Sequence, residues 1–306
     1  VRERPTWRPA PSSAAGVREE GAEHRRTLPM RALRPRPSAR LVAARSSPIQ
    51  LAPWRLANDL PPPLALLAAG VEAAWADAVP GLAPLPLRSD WAWHEAGEGR
   101  GRLRLENRAY TSPAFRRLHL EAAARGDGLH VLHCVLHPWL DAGATPILSM
   151  DAVASGDRVT LAVADPCPAT ASLALPPAYD AAVAALQDEC GVPDNNRGAP
   201  EWGREIFSSR CVLTRPASTA DFLTFARYAL SLHRVHLAFA ADAVARGGGR
   251  LPPADPATRT STHAAHARYA AAHLRNDKTR RVLAAAAGEG WAGEYMEGLM
   301  FDVEPL

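Results

Sequence analysis

Four side chains able to hold or pass a proton fall within 33 positions of one another: His119 and Glu121 in FRRLHLEAAA (115–124), His133 in HVLHCVLH (130–137) and Asp151 in PILSMDAVAS (146–155). A proton donor near neutral pH needs an imidazole, or a carboxyl group whose pKa is raised by its surroundings. His130, His133, Cys134 and His137 stand at i, i+3, i+4 and i+7, which on a helix would make one metal-binding face. The Val, Leu and Cys content between Gly128 and Pro138 favours a strand instead. On a strand His133 and His137 point one way and His130 and Cys134 the other, so no metal is expected. The same period sorts FRRLHLEA: Leu118 and Leu120 share one face, and Arg117, His119 and Glu121 the other. That polar face is either washed by solvent or covered by helices. Under a cover its groups would need partners and would have shifted pKa values. Alternation alone leaves both readings open.

The elements that must carry these residues are legible in outline. Pro61–Gly81 reads as a helix between proline and glycine punctuation. Segments 90–98, 101–113, 115–124, 128–138, 146–155 and 157–166 alternate and are joined by turn-like RGDG and SGD, the pattern of an antiparallel meander. A helix over 175–191, a strand over 210–216 and a long helix over 218–245, with Ser218 as N-cap, follow. GGGRLPPADP breaks that helix, and two or three more follow from about Thr258. Helix, then strands, then helices is an α+β order: an antiparallel sheet with helices packed on it.

Of the 306 residues, 47% are hydrophobic and 22% charged, enough for one large core. No apolar run reaches the roughly 18–20 residues that cross a bilayer, and neither a membrane nor a nucleic acid is an expected partner. The four cysteines form no C-x-x-C pair. Charge is uneven: residues 1–50 carry a net +7 and the remainder −4. An Arg-, Ala-, Pro- and Ser-rich start reads as a disordered leader over 1–55, in the style of an organelle transit peptide. The folded domain is expected over 56–306. Lys278 is the only lysine in the chain. Its compact ammonium, in a sequence that otherwise uses arginine, marks either a specific task or chance, and by itself the residue is read as chance.

These residues lie in stretches that resemble a known family. RLENRAYTSPAFRRLHLEAAARGDGLHVLHCVLHP, PILSMDAVA, VADPCP, RGAPEWGREIFSSRCVLTRP and NDKTRRVLAAAAGEGWAGEYMEGLMFDV are together similar to the ferredoxin-dependent bilin reductases, over about residues 90–306. The resemblance implies a three-layer α/β/α sandwich with a central antiparallel sheet. It implies biliverdin as substrate and reduced ferredoxin as the one-electron donor, with no bound metal, flavin or nicotinamide. Electrons arrive singly, so bilin radicals form, and the protein supplies a proton with each reduction. By resemblance Asp151 and His133 are paired proton donors, Glu121 serves the D-ring vinyl group and His119 supports the network. Asp277 is an acidic residue on the helical side. Arg197 and Lys278 would meet the two propionates, with Thr160 beside Lys278 and Asn276 adjoining it. Arg280 and Arg281 either face an acidic ferredoxin or cap a helix end. A plastid is the expected compartment and phycocyanobilin the expected product. Phycoerythrobilin, phytochromobilin, or a bilin-binding protein without catalysis are the alternatives. The loop 138–146 departs from the family pattern just before Asp151, and so does AAAAGEG near the C-terminus.

Overall fold

The alternating segments fold as strands: β1 (Ala83–Pro84), β2 (Trp93–Ala96), β3 (Leu103–Thr111), β4 (Phe115–Arg125), β5 (Leu129–Pro138), β6 (Ile147–Ser155), β7 (Arg158–Cys167) and β8 (Val212–Thr214). The computed structural model describes Ile49, residues 51–192 and residues 199–306, all within the compact unit Arg45–Leu306. Every pairing in the sheet is antiparallel, in the order β1-β3-β4-β5-β6-β7-β8, with β2 also on β3. Gly156 closes the two-residue turn between β6 and β7 with φ 55°, a backbone region that glycine enters without steric cost.

Helices cover both faces. α1 (Pro62–Ala78) starts with prolines, whose missing N–H is no loss in a first turn. A four-residue α2 (Ser89–Ala92) precedes β2, so only the second half of the expected strand 90–98 pairs. α3 (Pro177–Cys190) and α4 (Thr219–Arg246) follow. Ser218 caps α4 in a reciprocal capping box with Asp221, worth about 1 kcal/mol. α5 (Pro256–Leu274), α6 (Asp277–Ala287) and α7 (Glu289–Tyr295) lead into a wide helical turn, Met296–Met300.

Side-chain alternation decides which helices meet which face. Leu118, Leu120, Ala122, Leu132, Cys134, Leu136, Leu148, Met150 and Ala152 pack against α1, α3 and α4. Leu103, Leu105, Ala123, Val135 and Ile147 pack against Tyr269 and Ala270 of α5, Leu283 of α6, and Ala292 and Tyr295 of α7. The sheet is therefore the middle of three layers, and its polar face is covered, not washed by solvent. Packing begins upstream of position 56. Ile49, Leu51 and Trp54 lie on the first core, Trp54 Nε1 donates to Glu72 (3.1 Å) and the Leu56 N–H donates to Glu106 (3.0 Å). Residues 1–48, the bulk of the expected leader, lie outside the described residues.

Candidate active site

Strand register builds the site. Asn107, Glu121, His133, Asp151, Val163 and Leu213 are successive Cα partners across β3, β4, β5, β6, β7 and β8. Each lies on the face turned toward α5–α7. Neighbours in such a row have Cβ atoms about 4.5–5.5 Å apart, so an acid, an imidazole and a second acid stand side by side. Loop 138–146 does not disturb this row. It is tied down by Glu304, which accepts the Leu140 N–H (2.9 Å), and by the Asp141–Arg259 pair (2.8 Å).

His133 Nδ1 lies 2.7 Å from Asp151 Oδ1. A carboxylate only accepts, so that nitrogen carries the hydrogen. Burial opposes the imidazolium, but Asp151 and Glu121 outweigh it and raise the His133 pKa. Burial also acts against the Asp151 carboxylate, yet the His133 charge and hydrogen bond dominate and lower its pKa. The pair therefore holds its proton on the imidazole, and Asp151, 32% exposed where it opens on a cleft, stays ionised. The raised-pKa carboxyl group of this site is Glu121, pushed up by burial against the opposing pull of His133 and Tyr295.

A second shell of groups stands behind Glu121. Asn107 Nδ2 donates to the Trp91 carbonyl (2.7 Å), which leaves Asn107 Oδ1 as an acceptor for His119 Nε2 (2.8 Å) and the Tyr295 hydroxyl (2.9 Å). Tyr295 also hydrogen-bonds Glu121. One hydroxyl proton cannot serve both acceptors. It goes to Glu121 when that group is ionised and to Asn107 when Glu121 is protonated. The His119 ring meets the His133 ring edge-on at 6.0 Å.

A cavity of about 440 Å³ lies between this row and the C-terminal helices, within the roughly 300–1,000 Å³ of small-molecule sites. Glu121, His133, Ser149 and Asp151 line its sheet side; His273, Asn276, Lys278 and Thr279 line the helical side. Pro200, Trp202, Phe207, Met300 and Phe301 add an aromatic and apolar wall, and Leu103, Leu105, Val131, Leu161 and Val163 make the rest mostly hydrocarbon. The volume and lining suit a large, mainly apolar molecule with a few polar groups. Among the described residues no cluster of three His, Cys, Asp or Glu side chains is placed to hold a metal ion.

The expected residues divide into groups. Asp151, His133, Glu121, Asn276 and Lys278 come together on the cleft. Asn276 Oδ1 accepts the Lys278 N–H at the start of α6, which fixes the lysine's root, and among the described residues Lys278 makes no ion pair. His119 is fully buried behind the cleft. Asp277 is exposed and pairs with Arg281 (2.7 Å), and Arg280 reaches Glu297 (3.7 Å); Asp277 does not line the cavity. Thr160 corrects the expectation that placed it beside Lys278. The ladder of β6 and β7 shifts by one residue at Val153/Ala154, and Thr160 is the residue left without a partner. Its exposed hydroxyl donates to the Val153 carbonyl (3.2 Å), outside the cavity lining. Arg197 lies outside the described residues. Sequence reasoning passed over Tyr295, Asn107 and His273, although all three occur in or beside the motif-bearing stretches.

Comparison with known proteins agrees with this geometry. A family model described as ferredoxin-dependent bilin reductase matches residues 69–302. Phycocyanobilin:ferredoxin oxidoreductase of Synechococcus sp. is 35% identical over 249 residues, covering 81% of this chain and 96% of that protein. The enzyme of the same name from Gloeobacter violaceus is 36% identical over 222 residues, covering 72% and 83%. Tomato phytochromobilin synthase, solved in complex with biliverdin, superposes with a TM-score of 0.62 at 15% identity, over 77% of this chain and 81% of that one, a likeness of fold. The chain is an oxidoreductase that belongs to the ferredoxin-dependent bilin reductase family.

Proposed function

We propose that this protein reduces biliverdin to phycocyanobilin with single electrons from reduced ferredoxin, a proton accompanying each electron. The observation that carries the reading is the cross-strand row of Glu121, His133 and Asp151 on the sheet side of a cleft that Lys278 faces from the other side. Phycocyanobilin:ferredoxin oxidoreductase is the name of the relatives that match most of the chain. Reducing one carbon–carbon double bond takes two electrons and two protons. With electrons arriving one at a time, the half-reduced pigment is a radical, and a donor must stand close to it. His133, kept protonated by Asp151, supplies one proton source, and Glu121 supplies a second two strands away from Asp151. That second acid is what reduction of the D-ring vinyl group requires, beyond reduction at the other end of the pigment. Lys278 pairs with one propionate, and Arg197 serves the other. Arg280 and Arg281 lie on the helix that covers the cleft and offer positive charge to an acidic ferredoxin, so turnover should weaken as salt rises. The Arg-rich stretch before Ile49, where packing on the core begins, acts as a plastid-targeting leader.

The test is anaerobic incubation of the protein with biliverdin and reduced ferredoxin, followed through the visible spectrum and by chromatography of the product. Phycocyanobilin is the expected product. Phytochromobilin or phycoerythrobilin would remove the vinyl-reducing role of Glu121, and unchanged biliverdin absorption would mean a carrier rather than an enzyme.

A further inference from the structure

A second buried polar cluster, which the chemistry above does not use, lies between α5 and strands β5 and β6. His266, Tyr269 and His273 fall at i, i+3 and i+7 of α5, one face of a helix. They point at the sheet, where His137 and Ser149 share the face of Asp151. His137, His266 and Tyr269 are only 2%, 3% and 2% exposed. Yet His137 Nε2, both ring nitrogens of His266 and the Tyr269 hydroxyl have no hydrogen-bond partner among the described residues. Buried polar atoms are rarely left so, and bridging water is the usual partner of such groups.

His263, half-buried, and His266 stand one turn apart on α5, His266 shares its helix face with Tyr269, and the His137 and Tyr269 rings meet edge-on at 6.2 Å. The Tyr269 hydroxyl lies beside Ser149 without a formed hydrogen bond, and Ser149 lines the cleft two residues from Asp151. A neutral imidazole can accept a proton on one nitrogen and release one from the other, whereas an imidazolium cannot accept. Burial, aided by Arg116 at both rings and by Arg117 at His137, lowers the pKa of His137 and His266 and favours their neutral form.

A pigment seated in the cleft covers Asp151 and His133 and cuts them off from solvent at the mouth. Donors spent on the pigment must still be refilled before the next electron. We propose that His266, His137, Tyr269 and Ser149, joined by water, form a proton inlet that recharges the His133–Asp151 pair from the α5 side while the cleft is occupied. The inference rests on the proposed function. The inlet carries protons only: each double bond gains two electrons from two reduced ferredoxins and two protons from solvent, and the relay groups return to their starting state after each passage.

Tyr269→Phe removes one hydroxyl and keeps the ring; His266→Leu removes an imidazole. His266→Gln, a side chain of similar length that is not a fast proton carrier, replaces His266→Leu if that variant does not fold. The experiment follows decay of the bilin radical after addition of reduced ferredoxin to the biliverdin complex, in H2O and in D2O. Each single variant should slow that decay by about tenfold or more, within the range of proton-transfer contributions. Each should also enlarge the solvent isotope effect and leave the biliverdin dissociation constant unchanged. Residues acting in series are non-additive, so the double variant should be no slower than the slower single one. Decay at the parent rate in the single variants, or slowing that multiplies in the double variant, would overturn the inlet. A parent protein that leaves biliverdin unreduced would overturn the proposed function first, so the two failures are distinguishable.

Discussion

Both faces of the sheet bury histidines, and the two sets behave in opposite ways. On the α4 side His233 and His236 are 1% and 0% exposed. His233 Nδ1 donates to the Ala229 carbonyl (2.8 Å) and its Nε2 lies 3.5 Å from Cys134; His236 Nδ1 hydrogen-bonds the Tyr179 hydroxyl (3.0 Å). Among the described residues no carboxylate pairs with either, and burial pushes their pKa values down to about 4 and about 3. His133, the residue next to Cys134, points to the other face and is 3% exposed. There Asp151 and Glu121 raise its pKa. Burial alone silences an imidazole; burial beside carboxylates arms it, and one step along a strand is enough to switch between the two.

The strongest challenge to this contrast is to remove the carboxylate while keeping the shape. Asp151→Asn should cut reduction by about 10²–10⁴-fold, the usual worth of a positioned acid–base group. Biliverdin should still bind, and an organic radical should accumulate and be visible by electron paramagnetic resonance. Normal turnover would contradict the role given to the pair. Glu121→Gln should leave the other end of the pigment reducible and abolish only vinyl reduction, so that chromatography shows a two-electron product; loss of all reduction would contradict a division of labour between the two acids. Lys278→Ala sharpens the contrast between binding and chemistry. It should raise the biliverdin dissociation constant about tenfold, or ~1.4 kcal/mol, with turnover at saturating pigment little changed.

The smallest effect on chemistry belongs to the opposite face. His233→Leu should leave turnover within about twofold of the parent and act on acid stability instead. His233 and His236 have lower pKa values folded than unfolded, so between the ordinary 6.5 and the folded values the unfolded chain binds more protons. Stability contributed this way is complete above 6.5 and falls with pH through that window, by roughly 1.4 kcal/mol per pH unit for each histidine. Removing His233 should flatten that slope in urea titrations across the window; an unaltered slope would mean that its imidazole is already charged in the fold.

Much of this site was legible because strand alternation is short-range. The period of two put Leu118 and Leu120 opposite His119 and Glu121, and His133 opposite Cys134, without knowledge of the fold. Whether the polar face was wet or covered was not legible. That depended on α5, α6 and α7, which follow more than 100 residues after β6 begins. Tyr295 meets Glu121 across 174 residues of chain, and nothing in GEYMEG marks it. Thr160 is a different case: three residues from the cleft-lining Val163, it falls on the other face by the period of two, and its place in the site came from the resemblance alone. The lone lysine said little by itself; it is the fold that brings Lys278 to the cleft from the first turn of α6.

The charge state of His133 is the point on which the account turns. Nitrogen NMR of the protein labelled with ¹⁵N in its histidines, followed as pH rises through the ordinary imidazole range, reads it directly. One imidazolium signal should outlast those of the other histidines and vanish in His133→Gln, while His233 and His236 turn to neutral-ring signals before it. A neutral His133 ring at or below the ordinary imidazole pKa would contradict the claim that Asp151 and Glu121 hold a proton ready on the sheet.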